Sequence, residues 1–437
     1  MPIFAAMKRK TIAFQTFGCK LNFAETSAIA RKFTESDYDM VDFKDNADYY
    51  VIHSCTVTGQ AERKTRAAIR QAMRKNPEAS VAVIGCYSQL RPEEIKSIKG
   101  VEIVLGNSEK YKLFDHIQNI RSGNQPSETE QSRPADFEPG FSMGDRTRSF
   151  FKVQDGCDYF CTFCAIPYAR GRSRSASVAS TLEVAKQIAT TEVKEVVLTG
   201  VNIGDFGRQN GETFHELLLG LDTIQGIERL RISSVEPELL NDDIIKLVSE
   251  SKKFMPHFHI PLQSGTDRIL ELMKRKYKRE VFEQRISSIK KLMPDACIAA
   301  DVIIGFPGES EEDFNDTADF IRSLPISYLH VFTYSKRPGT KAALMAEQVP
   351  DSVKHERSRI LHQISDEKKE IFYRENKGSV RDILWESDVE EGFMSGFTDN
   401  YIRCKKPFNK SSVNQIESVI LLEPDTDGTY IIKPLEQ

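Results

Sequence analysis

The 437-residue chain has no run approaching about 18 consecutive apolar residues, so no membrane-spanning helix is expected. Its opening PIFAAM is too short for the apolar core of a secretory signal, and no export is expected. Eight cysteines in a chain this long are too few for a disulfide framework, which favours a reducing cytoplasm. Basic residues are not in excess. The 60 Lys and Arg stand against 64 Asp and Glu, a net charge of −4, so any affinity for nucleic acid must come from local clusters. What remains is ordinary for a globular protein, 40% hydrophobic and 28% charged, and the length suits about three domains.

Strand-like and helical patterns divide the chain. TIAFQTFGC (11–19), DYYVIHSC (48–55), SVAVIGC (80–86) and VEIVLG (101–106) each precede a helical stretch. That alternation predicts an α/β domain over 1–120 with a parallel sheet covered by helices. Residues 121–146 contain three prolines and no sustained periodicity, and read as a linker. Six strand–helix units then follow, with strands predicted at 150–154, 195–200, 229–234, 257–262, 297–305 and 328–334. They suit a partial (βα)6 barrel over 147–352, whose chemistry gathers at the C-terminal ends of its strands. A connecting helix is predicted over 353–377, and short β-like runs with glycine-rich turns over 378–437 suit a small β-barrel.

The densest chemistry lies in DGCDYFCTFCAIPYARGRSRS (155–175), where Cys157, Cys161 and Cys164 form C-x3-C-x2-C. Zinc sites usually pair two such motifs to reach four ligands, whereas no fourth ligand lies near; His215 is the closest downstream histidine. Three thiolates on a 4Fe–4S cluster leave one iron open to a small ligand. Cys19, Cys55 and Cys86 each follow a strand-like run, at spacings of 36 and 31 residues. Strand ends of a parallel sheet share one edge, so these three can meet and hold a second cluster. Cys297 and Cys404 are read as core residues, and His53, His257 and His259 as packing or hydrogen-bonding groups rather than ligands. Basic residues interleaved with aromatics, in KRKYKR (274–279) and around Lys405, Lys406, Phe393, Phe397 and Tyr401, suit contact with phosphate and stacked bases.

With these residues assembled, the chain resembles the radical S-adenosylmethionine (SAM) methylthiotransferases nearly end to end. The resemblance is carried by TFGCKLN (16–22), CAIPYARGRSRS (164–175), LTGVNIGDFG (198–207), RISSVEP (231–237), HIPLQSG (259–265), DVIIGFPGE (301–309) and HVFTYSKRPGT (330–340). The GRSRS ending sets it apart from the branches acting on isopentenyladenosine tRNA or ribosomal protein S12, and is similar to the branch acting on threonylcarbamoyladenosine in tRNA. The resemblance implies a C-terminal TRAM domain, SAM as cofactor and two 4Fe–4S clusters, one on Cys157, Cys161 and Cys164 and an auxiliary one on Cys19, Cys55 and Cys86. One SAM would methylate a sulfur at the auxiliary cluster. Another would be cleaved to a 5′-deoxyadenosyl radical that activates C2 of the adenosine at position 37. It further implies SAM contacts at Gly200, Ser234, Glu236 and Gln263. A tRNA anticodon arm would be held by Arg170, Arg172, Arg174, Lys405 and Lys406. An electron donor such as flavodoxin and a sulfur source would also be needed.

Overall fold

The computed structural model describes residues 9–123, 134, 136–144, 147–425 and 428–435. It divides into two compact units: Met1–Ser142 with Gly156–Asp158 and Cys164–Arg172, and Met143–Asp155 with Tyr159–Phe163 and Ser173–Gln437. Residues 164–172, expected within the barrel, thus pack with the N-terminal unit. Half of the expected linker lies outside the described residues.

The first unit is built on strands β1 (Lys10–Thr16), β2 (Tyr38–Met40), β3 (Tyr49–Ser54), β4 (Ser80–Gly85) and β5 (Val101–Leu105), all parallel in the order β2-β1-β3-β4-β5. Helices on both faces explain why the central strands read as unbroken apolar runs. Tyr50, Ile52, Val81 and Val83 enter one core, while Tyr49, Val51, Ala82 and Ile84 enter the other. Helix Gly59–Lys75 starts at Thr58, whose side chain accepts the Ala61 amide, and turns Ala68, Ile69 and Ala72 to the sheet. A short strand, β6 (Gly140–Phe141), is tied to helix Lys20–Thr34 by Arg31, which donates to the Phe141 carbonyl.

The second unit contains β7 (Arg148–Lys152), β8 (Glu195–Thr199), β9 (Arg229–Ile232), β10 (His257–Gln263), β11 (Cys297–Ile304) and β12 (Tyr328–Thr333). Ladders β7-β8-β9 and β10-β11-β12 are parallel, and a Ser234–His259 bridge joins them. Among the described residues no ladder links β12 back to β7, so the six strands form a partial barrel. Its N-terminal rim carries a buried ionic layer. Glu195 accepts from Arg231 (3.0 Å) and lies near Arg148 and Arg229. The guanidinium groups around Glu195 hold its carboxyl below the usual range against the opposing effect of burial, the largest single influence.

Helix Asp351–Glu375 leads into a closed barrel of β13 (Val380–Glu390), β14 (Phe393–Thr398), β15 (Arg403–Pro407), β16 (Ile416–Pro424) and β17 (Tyr430–Pro434), in the order β13-β14-β15-β17-β16. Trp385, Met394, Cys404 and Tyr430 fill it together with Phe372 and Cys297, so both extra cysteines are core residues. Its 398–401 turn caps the rim of the larger barrel: Arg231 donates to the Asp399 carbonyl, and Tyr401 lies 4.3 Å from His257. Among the described residues no helix is long and apolar enough to cross a membrane.

Candidate active site

The strand order brings the separated cysteines together. β1, β3 and β4 are immediate neighbours, and strands lie about 4.8 Å apart, so the loops leaving them are adjacent. Cys19 caps helix Lys20–Thr34, Cys55 follows β3 directly, and Cys86 opens helix Cys86–Leu90. Gly18 makes the close approach possible: it has φ +109°, and a Cβ there would lie 2.8 Å from Cys55 Cβ and 3.1 Å from its sulfur. Burial pushes the Cys55 thiol up to about 12, with repulsion from Cys86 and Cys19 adding to it. The Cys55 thiol therefore feels both of the others. All three are free, and the Asn107 amide donates to Cys86 Sγ at 3.5 Å. Mutually repelling, partly buried thiols with an amide aimed at one sulfur suit a thiolate-bound cluster, whose iron would neutralise the charge.

Behind this triad lies a buried ionic knot. Glu25 takes Lys110 (2.6 Å) and Arg170 (3.0 Å) and faces His53 at 3.6 Å. Arg170 also donates to Asn22 Oδ1 at 2.6 Å, while the Asn22 amide donates to the carbonyls of Phe17 and Ser54. The loops carrying Cys19 and Cys55 are thus tied to one side chain. His53 bonds Thr26 at 2.8 Å, the packing role expected of it.

The C-x3-C-x2-C loop leaves β7 through Gly156, at φ +72°, where a Cβ would meet the Arg172 carbonyl at 1.9 Å. Cys157 donates its amide to the Gly171 carbonyl. Arg275 donates to Cys161 Sγ at 3.1 Å and is ion-paired with Glu236. A guanidinium on sulfur stabilises thiolate, the form that binds iron. Glu236 is pushed up to about 7 by burial, against the pull of Arg275 and with repulsion from Glu238 and Asp301. Gln263 closes β10 at φ +63°, and its buried Oε1 has no hydrogen-bond partner among the described residues. An orphaned buried acceptor at the C-terminal end of a barrel strand suits a polar ligand such as SAM. Gly200 is packed against Gln154, whose Oε1 accepts the Val201 and Asn202 amides and shapes that loop. Ser234 contributes the backbone bridge to His259.

Several residues expected at an RNA surface lie elsewhere. Arg170 is 1% exposed and spent on Glu25 and Asn22. Arg174 is buried against Asp155, which also takes Lys152. Lys406 turns inward to Glu417 and Ser412 and lies over the Trp385 ring. Charges already paired and desolvated cannot reach phosphate, so these three are corrected to structural residues. Arg172 is 73% exposed, beside Asp158, and Lys405 is half-buried on Asp425. KRKYKR is not a uniform surface patch either: Arg275 turns to Cys161, and Tyr277 donates to the buried carbonyls of Pro261 and Leu262. Phe397 and Tyr401 stack on each other at 4.7 Å beneath Arg148 and Arg231. Arg275, Asn107 and Glu25 escaped the sequence reading because nothing in their spacing ties them to distant cysteines.

Comparison with known proteins agrees with this geometry. Residues 151–321 match the Radical SAM superfamily, and residues 11–106 match the Uncharacterized protein family UPF0004. The radical SAM methyltransferase TsrM from Kitasatospora setae, solved with cobalamin and a [4Fe-4S] cluster bound, is similar in fold. Its TM-score is 0.57 at 13% identity, covering 89% of this chain and 81% of that one. The partial barrel and its triple-cysteine loop define a radical SAM enzyme, with SAM and [4Fe–4S] as its cofactors. The chain is 39% identical over 434 residues, 96% of each protein, to the threonylcarbamoyladenosine tRNA methylthiotransferase MtaB of Bacillus subtilis (strain 168). It is 31% identical to the tRNA-2-methylthio-N(6)-dimethylallyladenosine synthase of Finegoldia magna, covering 92% of this chain and 91% of that protein. The chain belongs to the radical SAM methylthiotransferase family.

Proposed function

We infer that the chain converts N6-threonylcarbamoyladenosine in tRNA, at position 37, to its 2-methylthio derivative. The observation that carries the reading is the near full-length likeness to a relative of that activity, at 39% against 31% for the dimethylallyladenosine relative. Two separate cysteine triads support it, because the reaction needs both a radical source and a sulfur carrier. In this reading Cys157, Cys161 and Cys164 hold the cluster that binds SAM, and Cys19, Cys55 and Cys86 hold the auxiliary one. When bound, that first cluster with SAM supplies the one-electron chemistry that no acid–base side chain provides.

The chain's own residues prepare the site. Burial pushes the Cys161 thiol up; Arg275 works against that shift from 3.1 Å and also pairs with Glu236. Gln263 offers an acceptor, and Gly200, Ser234 and Glu236 complete the proposed SAM contacts. The exposed guanidinium of Arg172 and the ammonium of Lys405 are the remaining proposed contacts to the anticodon arm. A one-electron donor of the flavodoxin kind and an external sulfur source complete the requirements.

Nucleoside mass spectrometry of tRNA tests the reading. Cells lacking the gene should lose 2-methylthio-N6-threonylcarbamoyladenosine, accumulate its unthiolated precursor, and recover on complementation. Persistence of the modified nucleoside in cells with no second such enzyme refutes the reading. A loss confined to a dimethylallyl nucleoside, or to a modified ribosomal-protein aspartate, reassigns the substrate.

A further inference from the structure

Three titratable side chains stand on adjacent strands of the partial barrel and have no place in the chemistry above. His259 on β10, Asp301 on β11 and His330 on β12 each offer one ligand-type atom, all within 4.8 Å of one another. Asp301 and His330 are direct partners in the β11–β12 register. His259 Nε2 and Asp301 Oδ1 are 2.6 Å apart, and the two imidazole rings are 4.9 Å apart. Their neighbours Phe258, Ile260, Ala300, Val302 and Leu329 are buried on the opposite face, so alternation turns the three polar groups together to the more open side. Electrostatic influence and two direct contacts lead from them toward the cluster loop. The Asp301 charge acts on Glu236, Glu236 pairs with Arg275, and Arg275 reaches Cys161 Sγ at 3.1 Å.

The threonylcarbamoyl group carries a carboxylate, a hydroxyl and N–H donors, whereas a dimethylallyl group carries only hydrocarbon. Imidazoles can donate to a carboxylate, and Asp301 can accept from a hydroxyl or N–H. A divalent cation suits the same residue types, but would have to displace the 2.6 Å bond between His259 Nε2 and Asp301 Oδ1. We propose that His259, Asp301 and His330 form the recognition site for the amino-acid substituent on N6 of the target adenosine, with the imidazoles taking its carboxylate and Asp301 its hydrogen-bond donors. This rests on the functional reading above.

The test uses the cluster-loaded enzyme and two tRNAs that differ only in the N6 substituent, threonylcarbamoyl or dimethylallyl. Turnover is measured on both, and the dimethylallyl RNA is also titrated as a competitive inhibitor, so its affinity is read even without turnover. His330 is exposed, so His330→Leu leaves the core intact. His330→Leu and Asp301→Asn should each lower kcat/KM for the threonylcarbamoyl RNA by about 100-fold, because a site built to hydrogen-bond its substrate discriminates by at least that much. Affinity for the dimethylallyl RNA should hold or rise, and His330→Gln, which keeps a donor, should restore part of the loss. Equal losses on both RNAs, or no loss, overturn the proposal. So does a stoichiometric manganese signal in electron paramagnetic resonance that disappears in Asp301→Asn, which would assign the triad to a cation. A wild-type enzyme that prefers the dimethylallyl RNA refutes the functional reading itself. That result differs from a wild type preferring threonylcarbamoyl RNA with variants that keep the preference, which refutes this inference alone.

Discussion

The two cysteine triads, each proposed to hold a cluster, are assembled by opposite routes. Cys157, Cys161 and Cys164 share eight residues of one loop, so covalent connection alone keeps them close. Cys19, Cys55 and Cys86 span 68 residues and meet only because β1, β3 and β4 are neighbours in a parallel sheet. The first depends on local chain geometry and one guanidinium. The second depends on an entire sheet, on Asn22 bridging two loops, and on Glu25 buried beneath them.

The sharpest break between the triads comes from removing one thiol of each. Cys161→Ala should abolish SAM cleavage and methylthiolation together, a loss of at least about 1,000-fold in an enzyme whose chemistry belongs to its cofactor. Cys55→Ala should abolish methylthiolation alone, keep 5′-deoxyadenosine formation within about tenfold, and lower the iron content from about eight to about four per chain. Chromatography of the SAM products and iron analysis read both. Loss of SAM cleavage in a folded Cys55→Ala protein would end the division of labour.

The two buried ionic knots allow the next comparison. Glu25→Ala and Glu195→Ala each strand buried guanidinium groups, and each should cost about 3–5 kcal/mol in thermal or denaturant unfolding. Only Glu25→Ala should also lower occupancy of the auxiliary cluster, because Arg170 and Asn22 lie between Glu25 and the Cys19 and Cys55 loops. Equal iron content in the two variants would show that the first knot is purely structural.

Glycine substitutions come third. Gly156→Ala forces a Cβ onto the Arg172 carbonyl, and Gly18→Ala crowds Cys55, each also straining a positive φ by about 1–3 kcal/mol. The former should impair SAM cleavage and the latter only sulfur transfer, as single-turnover assays would read. The smallest effect is expected of Asn107→Ala, which removes an amide from Cys86 Sγ and should weaken auxiliary-cluster retention about 10-fold in a chelator competition. Unchanged retention would discount that contact.

Legibility followed the same divide. The strand–helix alternation, the partial barrel and the small terminal barrel could be read from apolar periodicity, because each pattern reflects which face of an element is buried. The tight cysteine loop was equally plain. The strand-end cysteines were legible only through a rule about parallel sheets. The basic residues misled because a sequence records charge but not burial. Arg170 and Arg174 stand two residues either side of the exposed Arg172, yet both are buried on carboxylates.

By itself, then, the sequence determined the layer architecture, the two cysteine triads and the class of chemistry, since these depend on composition, periodicity and short spacing. Tertiary structure alone decided which cations face solvent, that Arg275 serves Cys161, that Glu25 anchors the auxiliary triad, and that His259, Asp301 and His330 stand together. Each of those depends on strand order and side-chain burial. Both follow from how distant segments pack, which no local pattern encodes.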